Sequence, residues 1–320
     1  MDSRIDGSLG PRRPLIATRF VSDLQACVRR GGINAKITAV KPSIRLLAVD
    51  IDGTLLNSNF QISHDNLNAL NAAHRAGVDV VLVTGRRHTF ALPVAQELGF
   101  DLWLITSNGA ITKSTRGELF HRDLLPAASA REFCAAMTNF RRNLVLTFDR
   151  EEKGALVMEG IEELNLSIRR WVEKNRDYIE FVRPVEAALT TDPVQAMVCG
   201  PIARMQAAEA VLSASDVFSR VTVLKTEYEA RDLCILDVLN QSCSKGHALE
   251  RWARHRAFKR EEIMAIGDNF NDVEMLEFAG NPVIMGNACE QLKRNGYMLT
   301  RSNDENGVAA ALAEVMGIQA

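Results

Sequence analysis

At 320 residues, with 47 % hydrophobic and 24 % charged residues, the chain has the make-up of a globular protein with one large domain or two moderate ones. A formal net charge of −2 and an isoelectric point near 6.3 give no electrostatic case for nucleic acid or an anionic membrane surface as a partner, and no apolar run approaches the length of a membrane span. The cysteines Cys27, Cys134, Cys199, Cys234, Cys243 and Cys289 are scattered without a CxxC pair, which argues against a zinc site or disulfide framework and for free thiols in a reducing, cytoplasmic compartment.

Residues 1–43 differ from the rest, with eight Lys or Arg against three Asp. Leu15, Phe20, Val21, Leu24 and Val28 fall at near-helical spacing between arginines, a pattern that fits an organelle-targeting segment as well as a poorly ordered extension. No catalytic residue is expected there.

The stretch 44–54, IRLLAVDIDGT, is the organising signal. Its apolar run reads as a buried strand that stops at Asp50, presenting a carboxylate where open α/β sheets bind ligands. Asp52 and Thr54 follow, with Gly53 freeing the backbone to turn. Two carboxylates this close bind a cation, share a proton, or divide nucleophilic and acid/base roles. Ser63 can cap a helix to about residue 76, and a second buried strand over 78–83 ends in Thr84, Gly85 and Arg86. A helix over about 89–98, a strand over 102–105 and the turn at Ser107, Asn108 and Gly109 complete a strand-helix alternation, which predicts a parallel sheet covered by helices. A hairpin over 111–120, broken at Arg116 and Gly117, is expected to lead out of that layer.

From about residue 126 the rhythm changes to helix (128–140), strands (144–148 and 155–158), helix (161–174), strand (194–198), helix (203–212) and strands (221–225 and 233–239). That order predicts a largely antiparallel α+β domain inserted into the first. The alternation then resumes, with a helix over 245–256, a strand over 262–266 ending at Gly267 and Asp268, a helix over 272–279, a strand near 282–285, a helix through Leu292, and a closing helix over 307–316.

Asp50, Thr84 and Asp268 each lie just past a predicted buried strand. If those strands neighbour one another in a parallel sheet, the three groups converge on one edge. With Asp52 and Asp272 the site would hold four carboxylates, which requires positive charge among them. A hard divalent ion such as Mg²⁺ together with Lys245 supplies it, and Lys245 also suits phosphate. Glycines at 53, 85, 246 and 267 leave room for backbone N–H groups to approach anion oxygens.

The set DIDGT (50–54), TGR (84–86), SKG (244–246) and GDNFND (267–272) resembles, in order and spacing, the four motifs of the haloacid dehalogenase-like phosphohydrolases. The GDxxND form, the NGA turn at 108–110 and the MGNA stretch at 285–288 are most similar to the Cof-type branch. The resemblance implies a Rossmann-like parallel-sheet core over 44–126 and 238–320 with an inserted α+β cap of the C2 type (C2B) over 127–237. It further implies Asp50 as nucleophile and Asp52 as general acid and then base. Mg²⁺ would be held by Asp50, the Asp52 carbonyl and Asp268. Thr84, Gly85, Arg86, Asn108, Lys245 and Asn271 would hold phosphate or substrate, and Asp272 would orient Lys245 or a metal-bound water. Arg87 and His88 are further candidates at the mouth. The expected substrate is a small phosphorylated metabolite of the sugar phosphate, pyridoxal phosphate or flavin mononucleotide class. A phosphotransferase or mutase on the same core, or a non-catalytic phosphometabolite binder, are the alternatives; oligomeric state is left open.

Overall fold

The computed structural model describes residues 43–160 and 166–318. The extension read over 1–43 lies outside them but for its last residue, as does the start of the helix expected over 161–174. The chain enters through β1 (Leu46–Asp50), then α1 (His64–Arg75), β2 (Asp79–Val83), α2 (His88–Gln96), β3 (Trp103–Thr106), β4 (Ile111–Ser114) and β5 (Leu119–Arg122). Next come α3 (Ala127–Ala136), β6 (Leu144–Thr147), β7 (Leu156–Met158), α4 (Leu166–Lys174), β8 (Ile179–Phe181), β9 (Gln195–Gly200), α5 (Ile202–Ser213), β10 (Val221–Tyr228) and β11 (Leu233–Asn240). The last section holds α6 (Lys245–His255), β12 (Ile263–Gly267), α7 (Val273–Phe278), β13 (Asn281–Ile284), α8 (Glu290–Lys293), β14 (Met298–Leu299) and α9 (Gly307–Met316).

Eight strands form one sheet in the order β14-β13-β12-β1-β2-β3-β4-β5, with β14 through β3 parallel and β4 and β5 antiparallel at the edge. The hairpin therefore extends the core sheet and does not leave it: Trp103 to Thr106 pair with Ser114 to Ile111, giving the edge of β3 a partner. Because side chains alternate along a strand, each central strand feeds two apolar layers. Leu47, Val49, Val80, Leu82, Met264 and Ile266 pack under α1, α2 and α9. Leu46, Ala48, Val81, Val83, Ile263 and Ala265 pack under α6 and α7, where Trp252 is fully buried. The near-continuous apolar runs in the sequence are thus strands covered on both faces.

The inserted section folds as a second sheet, β10-β11-β9-β6-β7-β8, antiparallel except between β7 and β8. One face, carrying Leu144, Leu146, Ala196, Val198, Leu236 and Val238, packs on α3 and α5. The opposite face carries Met197, Cys199, Leu233 and Ile235 and meets α4. The chain is thus an α/β protein with a Rossmann-like core and an inserted α+β cap. The short strands β8 and β14 went unread in the sequence, because three and two residues are too few to show a period.

Candidate active site

The strand order reverses at β1: β2 lies on one side and β12 on the other, and the crevice at such a switch point is where this architecture binds ligands. Asp50 ends β1 level with Val83, and Val49 is level with Ile266, so Thr84 and Asp268 follow one step beyond the same edge. The convergence expected from the strand ends is what the register produces. Lys245 starts α6 behind the Ser244 cap and is almost wholly buried, and its Nζ donates to Oδ1 of both Asp50 and Asp272 at 2.6 Å. Asp272 Oδ2 in turn accepts from the backbone N–H groups of Asp268 and Asn269 at 3.0 Å, which fixes the loop after β12.

Carboxylate oxygens of Asp50, Asp268 and Asp272 lie within 4.8 Å of one another, a spacing that a hard divalent cation can draw together. Burial pushes Asp50 well above the usual carboxylate range, since Lys245 only partly offsets it while Asp272 and Asp268 add repulsion. Burial and Asp272 likewise lift Asp268 to about 7. A site this short of positive charge fits a cation. Thr54 donates to Asp268 Oδ1 at 3.0 Å, and Asn287 donates to the Gly53 carbonyl at 2.8 Å, tying the loops after β1 and β13 around it.

Gly53 has φ +81°, and an added Cβ would sit 2.3 Å from Asp268 Oδ2. Gly53→Ala must strain the backbone and push the carboxylate aside. It is expected to lower phosphate release at least about tenfold with a melting temperature a few degrees lower, read by a phosphate assay and a thermal melt.

Asp52 points elsewhere. Arg86 Nε and a terminal nitrogen clasp its two oxygens at 2.7 and 2.6 Å, so the two form a bidentate pair at the mouth. Asn108 is buried in a turn with φ +53°. Its Oδ1 accepts from Asn271 at 3.0 Å and its Nδ2 donates to Asp237 Oδ2 at 3.3 Å. Gly85 makes room for it, since a Cβ there would come 3.1 Å from Asn108 Oδ1. Asp50, Asp52, Thr84, Gly85, Arg86, Asn108, Lys245, Asp268 and Asn271 all line one cavity of about 410 Å³ between core and cap; Asp272 lies behind Lys245. Arg87 also lines it, whereas His88 turns its Nε2 to the Ser114 carbonyl at 3.3 Å and is not among the lining residues.

Sequence reasoning missed the cap's contribution, notably Gln195, Tyr228 and Asp237. Burial lifts the Asp237 carboxyl to about 7 from an ordinary 3.8, against the pull of its Asn108 hydrogen bond. Between those values the folded protein holds a proton that the unfolded chain releases, so this group's contribution is full below 3.8 and is lost as pH rises through about 7. Asp237→Asn stays neutral at every pH. Its melting temperature relative to wild type is expected to climb from about pH 5 to about pH 8, and parallel profiles would contradict the shift.

Fold and site together define a capped α/β hydrolase built on clustered carboxylates and a buried lysine. The family model of haloacid dehalogenase-like hydrolases matches residues 47–312. The phosphatase YwpJ of Bacillus subtilis is 29 % identical over 293 residues, covering 85 % of this chain and 100 % of that protein. The HMP-PP phosphatase of Serratia proteamaculans is 32 % identical over 259 residues, covering 78 % of this chain and 86 % of that protein. The crystal structure of a haloacid dehalogenase-like hydrolase from Bacteroides thetaiotaomicron matches with a TM-score of 0.71 at 26 % identity, over 85 % of this chain and 99 % of that one. The chain belongs to the haloacid dehalogenase-like hydrolases, in their Cof-type branch, and is a phosphoric monoester hydrolase. Among the described residues no helix is long and apolar enough to cross a membrane.

Proposed function

We propose that this protein is a Mg²⁺-dependent phosphatase that hydrolyses a small phosphorylated metabolite through an aspartyl-phosphate on Asp50, with residues 44–126 and 238–320 as catalytic core and 127–237 as cap. The observation that carries this reading is the Lys245 ammonium bonded to Asp50 and Asp272 at the sheet's switch point, on the floor of a cavity of suitable size. A carboxylate oxygen of Asp50 attacks phosphorus, and the bond to the leaving alcohol breaks with its electron pair going to the alcohol oxygen. Asp52 delivers the proton to that oxygen, then takes one from the water that attacks phosphorus and breaks the Asp50 ester. Because Arg86 holds both Asp52 oxygens, the role requires the phosphoryl group to draw off the guanidinium, which suits phosphate bidentately. Thr84, Lys245 and the Gly85 backbone hold phosphoryl oxygens, while Asn271 and Asn108 support the wall beside them. Mg²⁺, held by Asp50, Asp268 and the Asp52 carbonyl, would neutralise charge on the transferring group.

The test is inorganic phosphate release from a panel of small phosphomonoesters with Mg²⁺ and with a chelator. Release that disappears with the chelator is expected. No release from any ester, or transfer to an added hydroxyl compound outrunning hydrolysis, would overturn the reading.

A further inference from the structure

The cavity has two chemically distinct ends. Its core end is made of carboxylates, Lys245 and Arg86, while its cap end is one face of the second sheet. Residues two apart on a strand share a face, so β9 presents Gln195, Met197 and Cys199, and the neighbouring β11 presents Leu233, Ile235 and Asp237. With Ile168 and Trp171 of α4, that surface is mostly apolar; Thr147, in register with Gln195, and Thr226 and Tyr228 of β10 add polar groups beside Gln195 and Asp237.

Gln195 is 94 % buried, at 6 % exposure, and its Nε2 donates to Asp237 Oδ1 at 3.0 Å. Asp237 Oδ2 already accepts from Asn108, so with both of its oxygens accepting, as in the ionised form present above about pH 7, the Asp237 carboxylate orients the Gln195 amide with its nitrogen inward. Gln195 Oε1 is then left buried and without a partner. A buried amide oxygen with nothing to accept from is costly, and native proteins seldom leave one unmet unless a ligand or water meets it. Nothing in the catalytic reading uses it. The apolar area around it favours a flat ring over a polyol, whose hydroxyls would lose water against Trp171, Met197 and Ile235 without replacement.

We propose that Gln195 Oε1, held in place by Asp237, is a substrate-binding group that accepts a hydrogen bond from the leaving alcohol, and that the preferred substrate is a phosphomonoester of a flat ring bearing an N–H or O–H donor. This rests on the phosphatase reading of the same site. The Asn271–Asn108–Asp237–Gln195 chain of hydrogen bonds gives the subsite a fixed position relative to the core.

The test compares kcat/KM for benzyl phosphate, its ring-amino and ring-hydroxyl derivatives and glycerol 3-phosphate, using the full chain with Mg²⁺. A donor-bearing ring is expected to beat unsubstituted benzyl phosphate on the order of tenfold, chiefly through KM, and glycerol 3-phosphate is expected to be poorest. Gln195→Leu and Gln195→Met, which keep the bulk and lose the acceptor, should bring the ratio of donor-bearing to plain ring close to one. A merely structural role would slow all esters alike and leave that ratio standing, which would overturn the subsite. So would a wild-type ratio near one or a preference for glycerol 3-phosphate. Calorimetry on Asp50→Asn separates the two claims: tighter binding of the donor-bearing ring with no turnover by wild type retires the phosphatase reading and keeps the subsite. Equal binding of both rings, or binding of neither, retires the subsite.

Discussion

Asp50→Asn is expected to cut phosphate release by roughly 10³-fold or more while leaving the fold intact. The asparagine has the same shape and retains an oxygen for the Lys245 ammonium, which lies 2.6 Å from Asp50 Oδ1, but an amide oxygen is too weak a nucleophile to attack phosphorus. Stability should move the other way from activity. The Asp50 carboxylate is deeply buried beside Asp272 and Asp268, and burial already holds its pKa well above the ordinary range, so the charged form is costly in the folded protein. Removing that charge should leave the melting temperature with chelator unchanged or higher. Single-turnover phosphate release and thermal melts on the same preparation check both halves. Normal turnover by the variant would remove Asp50 as nucleophile, and an inactive variant that melts several degrees lower would point to a structural role instead.

The core half of the site was legible because its physics is local. Each of the three apolar runs stops abruptly at a polar residue or a glycine followed by one, so Asp50, Thr84 and Asp268 announced both the strand ends and the groups offered there. Adjacency of those strands followed from the strand-helix alternation, which leaves few topologies open. The cap half was not legible for the converse reason. Gln195 and Asp237 are lone polar residues at the start of one apolar run, QAMVCG, and within another, LCILDVL, and no periodicity there tells a cavity-facing residue from a buried, hydrogen-bonded one. Nothing in the spacing between Gln195 and Asp237, or between Asp52 and Arg86, marks them as partners: both pairs are made by neighbouring strands or the loops after them. The hairpin of β4 and β5 was assigned to the wrong place because a turn at Arg116 and Gly117 says that two strands pair, not which sheet edge they join.

Lys245 is where stability and chemistry meet, and its removal should show in both. It is 1 % exposed, and Asp50 and Asp272, on either side of it, are buried as well. Burial alone would pull its pKa down, yet Asp272 and Asp50 raise it above the ordinary lysine value, so it stays charged across the working range. Lys245→Met keeps the length of the side chain and leaves two buried carboxylates without their cation. Breaking a buried pair in this way costs about 3–5 kcal/mol. For a chain of this size that corresponds to a melting temperature lower by roughly 10 °C near neutral pH with chelator, alongside loss of phosphate release. The pH dependence carries the sign. Without Lys245 the folded pKa of Asp50 rises further above that of the unfolded chain, so the variant's stability is greatest below the unfolded value and drains away as pH climbs through the folded one. The gap between wild type and variant should therefore narrow from about pH 8 to about pH 5, and Mg²⁺ should raise the variant's melting temperature more than the wild type's by replacing the missing charge. A fall of only about 2 °C that ignores both pH and Mg²⁺ would mean that Lys245 is not what holds the carboxylates together.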